Sequence, residues 1–245
     1  MKLLALDTAT ERMALALWDG SAVAEQGTHR LAEGGAQSST HLIPMLLALL
    51  AERGLCLADL DAIAVGQGPG AFTGLRTAIS VAQGLAFGAN KPVLMLDSLM
   101  LVAEAARLEA PVAPGSTVWV AMDARMDEIY AAAYAHDGRA WKTLAAPALM
   151  DAPSLNAAWQ ALPPACVAGS AAAAFGERLH TQGLLTVAGV THRAQALLAL
   201  ARAAWQQGPP RAPEDAQPLY LRDKVAQTTA ERMAQRLAKE QGAAG

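Results

Sequence analysis

Ala62-Ile63-Ala64-Val65-Gly66-Gln67-Gly68-Pro69-Gly70-Ala71-Phe72-Thr73-Gly74-Leu75-Arg76 is the stretch on which the reading of this chain turns. An apolar run feeds a segment with glycines at 66, 68, 70 and 74 and a proline at 69, and small and apolar residues continue to Gly88. The pattern predicts a strand, a tight turn and a helix. Glycine tolerates positive φ and proline fixes one torsion, so the backbone turns sharply and brings its amides close to something else. A phosphate, a dinucleotide and another protein are the candidates. A dinucleotide parse exists, Gly66-x-Gly68-x-x-Ala71, with Asp97 after the next strand as the ribose acid. Against it, that acid lies too far along the chain, and the Gly68-Pro69-Gly70 run exceeds what a pyrophosphate turn requires. No Gly-Lys-Ser/Thr follows, which excludes a Walker A loop.

The chain has 245 residues, 53% of them hydrophobic, enough for one large core or two modest ones. A net charge of −3 gives no global attraction for nucleic acid, and 4% aromatics argues against a base-stacking platform. Any RNA substrate would therefore meet its basic surface on another chain. Cys56 and Cys166 lie far apart and read as two reduced thiols of a cytoplasmic protein. The apolar run Leu3-Leu4-Ala5-Leu6 ends at Asp7, too soon for a signal-peptide core or a membrane span.

Outward from the glycine stretch, the N-terminal side reads as an antiparallel meander. Its pieces are a strand over 2–6, a strand over 13–18, a turn at Asp19-Gly20 and a return over 22–25. Residues 28–37 read as a polar loop, and a helix over 40–53 follows, with Pro44 confined to its start. That helix carries Leu42, Ile43, Met45, Leu46, Leu47, Leu49 and Leu50 and has no polar face between 42 and 51, so it needs burial on two sides. The glycine-led helix, 73–88, has small residues at Gly74, Ala78, Ala82, Gly84 and Gly88, a stripe another helix can approach. A strand over 93–96 and a helix over 99–108 lead to Pro111-Val112-Ala113-Pro114-Gly115, a domain boundary. The second half restarts with a strand over 117–122, a polar corner at 123–128 and a strand over 129–134. Residues 145–165 read as a connection with a short helix, 166–168 as a strand and 195–207 as a helix. A Pro-rich linker over 208–218 precedes a final helix from Tyr220. Two similarly opened halves predict a duplicated α/β protein.

Asp7-Thr8-Ala9-Thr10 has two readings. Asp7, Thr8 and Thr10 have the chemistry of a phosphate turn, whereas an Asx or ST turn would use the same groups to satisfy its own backbone. The five histidines never pair at metal-ligand spacing, and no HExxH or GxSxG occurs. Arg76 is either half of an internal salt bridge or a contact to a phosphate or a partner carboxylate. Asp123, Arg125 and Asp127 read equally well as a solvated hairpin corner.

Four segments in this order resemble one family. They are Leu4-Ala5-Leu6-Asp7-Thr8-Ala9-Thr10, Gly68-Pro69-Gly70-Ala71-Phe72-Thr73-Gly74-Leu75-Arg76, Asp123-Ala124-Arg125-Met126 and Pro218-Leu219-Tyr220-Leu221-Arg222. Together they look like the bacterial TsaB (YeaZ) proteins, subunits of the machinery that makes N6-threonylcarbamoyladenosine (t6A) at position 37 of tRNA. The resemblance implies an α/β chain of the actin/Hsp70/sugar-kinase (ASKHA) fold with two duplicated subdomains and mixed sheets. These would be 1–110 and 111–217, with a C-terminal helix and tail over 218–245. It also implies a non-catalytic dimerisation and activator subunit that pairs with a TsaD-type paralogue, works with a TsaE-type ATPase, and homodimerises when alone. tRNA would be met only through the complex, and the only cofactor in view is ATP or ADP at the complex interface. The histidine pair that holds metal in TsaD has no counterpart in Asp97-Ser98-Leu99-Met100-Leu101-Val102. The family interface would fall on Leu42, Met45, Leu46, Leu49, Gly70, Thr73, Gly74, Arg76, Thr77, Ser80, Val81 and Gly84. Two departures favour packing over chemistry: Ala71 replaces the usual Ser, and Ser38 stands where a His is often found, with His41 one turn on. The alternative is a stand-alone ASKHA-type ATPase or kinase using Asp7, Thr8 and Thr10 around phosphate.

Overall fold

The computed structural model describes residues 1–21, 27–34, 38–188 and 191–222. The chain begins with β1 (Leu3–Asp7), β2 (Arg12–Trp18), β3 (Thr28–Glu33), α1 (Ser38–Ala51), β4 (Ala62–Gly66), α2 (Phe72–Ala89), β5 (Val93–Leu96) and α3 (Ser98–Glu109). It continues with β6 (Thr117–Arg125), β7 (Glu128–His136), β8 (Trp141–Met150), α4 (Ala152–Ala161), β9 (Cys166–Ala168), α5 (Ala171–Phe175), β10 (Leu185–Val187) and α6 (Arg193–Gln207).

The strands form two five-stranded sheets, β3-β2-β1-β4-β5 and β8-β7-β6-β9-β10. In each, the first three strands are antiparallel and the last two run parallel to the central strand. The second sheet repeats the order and sense of the first, which is the duplicated mixed-sheet architecture of the ASKHA class. The meander supplies the antiparallel part, and the helical connections through α1 and α2, and through α4 and α5, supply the parallel part.

β1 shows how the sequence builds the core. Its alternate residues separate by face, Leu4 and Leu6 toward α1 and α2, Leu3 and Ala5 toward α3 and α6. Burial on both faces explains why β1 is apolar throughout instead of alternating. α3 serves both halves: Leu101 and Ala105 pack toward the first sheet, Leu99, Val102 and Ala106 toward the second.

Several expectations are corrected. Residues 28–33 are not a loop; they are β3, paired with β2 from Thr28↔Leu17 to Glu33↔Arg12. Backbone pairing along an open sheet edge outweighs the polar composition of this strand. The expected return strand over 22–25 lies outside the described residues. The Ala-rich stretch after 140 is a ten-residue edge strand, β8, with a register shift opposite Ala131–Tyr134. Pro44 sits inside α1, six residues past its start, so the helix runs on through it. α6, assigned by order to the second half, instead packs its Ala194, Leu197, Leu198 and Ala201 onto the first sheet. The segment after α6 stays there as well, with Arg211 bridging to Val93 and Leu219 N donating to the Gln67 carbonyl at 2.7 Å. The division at 111 therefore separates the sheets but not the helices. Tyr220–Arg222 is not helical, and the rest of the expected final helix lies outside the described residues.

Candidate functional site

The glycine turn and the β1–β2 turn meet face to face, and they are locked to each other. Asp7 is fully buried. Its Oδ1 accepts from Arg193 Nη2 at 2.7 Å and from Ala9 N at 3.1 Å, and its Oδ2 accepts from Ser98 Oγ at 2.7 Å. Ser98 Oγ in turn accepts from Gly68 N at 3.0 Å. Thr8 Oγ1 donates to the Gly74 carbonyl at 2.6 Å, and Ala71 N donates to the Ala9 carbonyl at 2.8 Å. The glycines allow this contact, since a Cβ at Gly66 would overlap the Asp7 carboxylate, at Gly70 the Ala9 carbonyl, and at Gly74 the Thr8 carbonyl.

The side-chain polar atoms of Asp7 and Thr8 are thus engaged inside the molecule, which favours the turn that satisfies its own surroundings over the phosphate turn. Thr10 forms a local turn, its hydroxyl donating to the Arg12 carbonyl at 3.1 Å. Three groups of the glycine turn are engaged in the same way. Gln67 N donates to the Leu96 carbonyl, Gly68 N to Ser98, and Ala71 N to Ala9, while Pro69 has no N–H. Asp97 is not a ribose acid but the N-cap of α3, accepting from Leu99 N at 2.8 Å, Met100 N at 3.2 Å and the Tyr134 hydroxyl at 2.6 Å. Burial raises its carboxyl above the ordinary value despite these three donors.

Beside the locked turns lies a cleft between the two sheets, about 660 Å³ in volume. Residues 219–222 cross its mouth as a strap. Tyr220 stacks against Phe72 with centroids 5.3 Å apart, and Arg76 lies 3.8 Å above the Phe72 ring while its Nε donates to the Tyr220 hydroxyl at 2.9 Å. Arg222 ion-pairs with Glu128 and donates to the Ala124 and Arg125 carbonyls at 3.1 Å. Arg76 thus makes no salt bridge among the described residues; its ring partners hold it in place. At the far rim, Arg125 pairs with Glu11 at 2.9 Å and with Asp123 at 3.1 Å, and Asp127 pairs with Arg178. Among the described residues no three His, Cys, Asp or Glu side chains gather as metal ligands, and no helix is long and apolar enough to cross a membrane.

The third feature is the outer face of α1 and α2. Leu42, Leu46 and Leu49 are fully buried in the chain's own core, so they cannot also present side chains to a partner. Gly70 and Gly74 face the β1–β2 turn, and Ala78 and Ala82 face the first sheet, which removes the inner part of the small-residue stripe from any docking surface. Met45 and Val81 pack partly against the core. Still exposed or half-exposed are Thr73, Arg76, Thr77, Ser80 and Gly84. Ile43 (40%), Leu47 (45%) and Phe87 (59%) are the large apolar side chains left open on these two helices. None of these three was singled out as an interface residue from the sequence, though for Ile43 and Leu47 the second face of an all-apolar helix was the available signal. Arg193 and Ser98 were missed for a different reason: they lie 186 and 91 residues from Asp7, and no local pattern marks them.

The family model described as TsaD, tRNA N6-adenosine threonylcarbamoyltransferase, matches residues 32–230. The tRNA threonylcarbamoyladenosine biosynthesis protein TsaB of Escherichia coli is 34% identical over 92% of this chain and 96% of that one. The chain belongs to the TsaB (YeaZ) family. The TsaB of Haemophilus influenzae is 40% identical over 53% of this chain and 52% of its own. A solved Pseudomonas aeruginosa protein, described as uncharacterized with similarity to peptidase YEAZ, superposes with a TM-score of 0.79 at 35% identity, covering 90% of this chain and 99% of that one. The segments that carry the resemblance occupy one continuous region here: the two locked turns, the 123–126 rim and the strap that joins them.

Proposed function

We propose that this chain is the dimerisation and activator subunit of the machinery that makes t6A at position 37 of tRNA, without an active site of its own. It pairs with a TsaD-type paralogue, acts together with a TsaE-type ATPase, and meets tRNA through that complex in the cytoplasm. When alone it forms a homodimer through the same face, and ATP or ADP, where needed, binds at the complex interface. The observation that carries this reading is the outer face of α1 and α2, where Ile43, Leu47 and Phe87 stand open beside the small residues Ser80 and Gly84. Family membership supplies the pathway, and the consumed polar atoms of Asp7, Thr8 and the glycine turn argue against the ATPase or kinase alternative.

The test is reconstitution of t6A formation with a TsaD-type protein, a TsaE-type protein and tRNA, with and without this chain, together with co-purification of the TsaD-type protein. Modification should fall to background without the chain and also with Ile43→Asp/Leu47→Asp. Full modification in its absence would sink the proposal.

A further inference from the structure

The cleft between the sheets has no part in the function proposed above, yet it has the properties of a small-molecule site. Its volume of about 660 Å³ lies within the range of such sites. Its walls are largely apolar, with Leu75, Leu99, Val102, Met122 and Leu219 among them. Arg193 lines it from the α6 side and is 1% exposed. Its Nη2 is engaged by Asp7, but its Nε and Nη1 have no hydrogen-bond partner among the described residues. A guanidinium buried with two unpaired nitrogens carries a desolvation cost that an acceptor would remove.

Two further observations narrow the chemistry. Arg125 is already ion-paired with Glu11 and Asp123 and Arg222 with Glu128, so the unpaired nitrogens of Arg193 are the buried cationic donors left for an acceptor on a ligand. A polyphosphate is disfavoured, because Asp7 is already ion-paired and leaves no free deep carboxylate for the bridging cation such a ligand brings.

We propose that this cleft binds a compact monocarboxylate with an apolar body. The carboxylate is held by Arg193, and the body lies against Leu75, Leu99, Val102 and Met122, beneath the strap of residues 219–222. A charge-assisted bond to a buried guanidinium fixes the head, and burial of the apolar body supplies the rest of the affinity.

The test uses the full chain in isothermal titration calorimetry with 4-phenylbutyrate, its neutral counterpart 4-phenylbutan-1-ol, and magnesium ATP as competitor. The acid should saturate a single site, the alcohol should bind about 10-fold more weakly or worse, and ATP should not displace the acid. Arg193→Gln should bring acid and alcohol to equal affinity. If that variant fails to fold, Ala71→Trp, at an exposed position on the rim, decides: it should weaken the acid about 10-fold with an unchanged Tm. Absence of saturable binding, equal affinity of acid and alcohol for the unmodified chain, displacement by ATP, or indifference to Ala71→Trp would each overturn the proposal.

Discussion

The β1–β2 turn and the β6–β7 turn hold the same place in two sheets of the same order, yet they have opposite fates. In the first, Asp7 is buried without exposure and paired to a buried arginine, and three glycines clear the space around it. In the second, Arg125, Met126 and Asp127 all adopt positive φ, Met126 stands half open, and the ion pairs of Arg125 and Asp127 lie in solvent. Duplication preserved the strand order and not the environment. What differs is the neighbour: the glycine turn and the buried Arg193 close over the first corner, whereas the second meets Ser170, whose hydroxyl accepts from Asp123 N at 3.0 Å, and the charged side chains of Arg125 and Asp127 stay in solvent.

The comparison breaks most visibly on charge. Arg193→Ala strands a buried carboxylate and should cost about 3–5 kcal/mol in denaturant unfolding. Asp127→Ala, at the matching exposed corner, should lower the unfolding midpoint only slightly. Equal losses would mean that the two corners are energetically alike after all.

Gly74 and Gly84 sharpen the contrast within one helix. Gly74→Ala would press a methyl group into the Thr8 carbonyl and should cost about 1–3 kcal/mol. Gly84→Ala meets nothing within 4 Å and should stabilise the lone chain by about 0.5–1 kcal/mol through helix propensity. The same substitution should weaken association with a partner on that face, measured by sedimentation.

Tyr134→Phe removes a donor from the half-shielded Asp97 and should cost about 1–2 kcal/mol at neutral pH. Burial raises the Asp97 carboxyl, so the folded chain holds that proton more tightly than the unfolded chain. Its stabilisation is complete below the ordinary value of 3.8 and is lost as pH rises through the raised one. Losing Tyr134 raises the carboxyl further, so the variant's deficit should shrink in acid. Asp127 behaves oppositely: the bond to Arg178 lowers its carboxyl, so its small contribution is present above 3.8 and lost as pH falls below it. The smallest effect on stability belongs to Ile43→Asp, which should leave the monomer's Tm unchanged while abolishing self-association.

Much of the fold was legible before any coordinates. The helix over 72–89, the strand leading into it and the restart after 115 carry strong periodicity and clear punctuation. β3 and β8 were not legible, because Thr28–Glu33 is polar and Trp141–Met150 is rich in alanine. Edge strands owe their form to the neighbour they pair with, not to their own composition. The all-apolar helix over 42–50 did announce a second buried face, but periodicity alone did not divide its leucines between the chain's own core and the outside.

The sequence by itself determined that this is a duplicated α/β chain whose glycine turn launches a helix of small residues, and its motifs carried the family. The tertiary structure alone decided what the turn's glycines are for. They admit Asp7 and Thr8 to a buried contact with Ser98, Gly74 and Arg193. The physical reason is range: a glycine's missing Cβ is written locally, but the group that fills the space comes from another part of the chain, and only folding brings the two together.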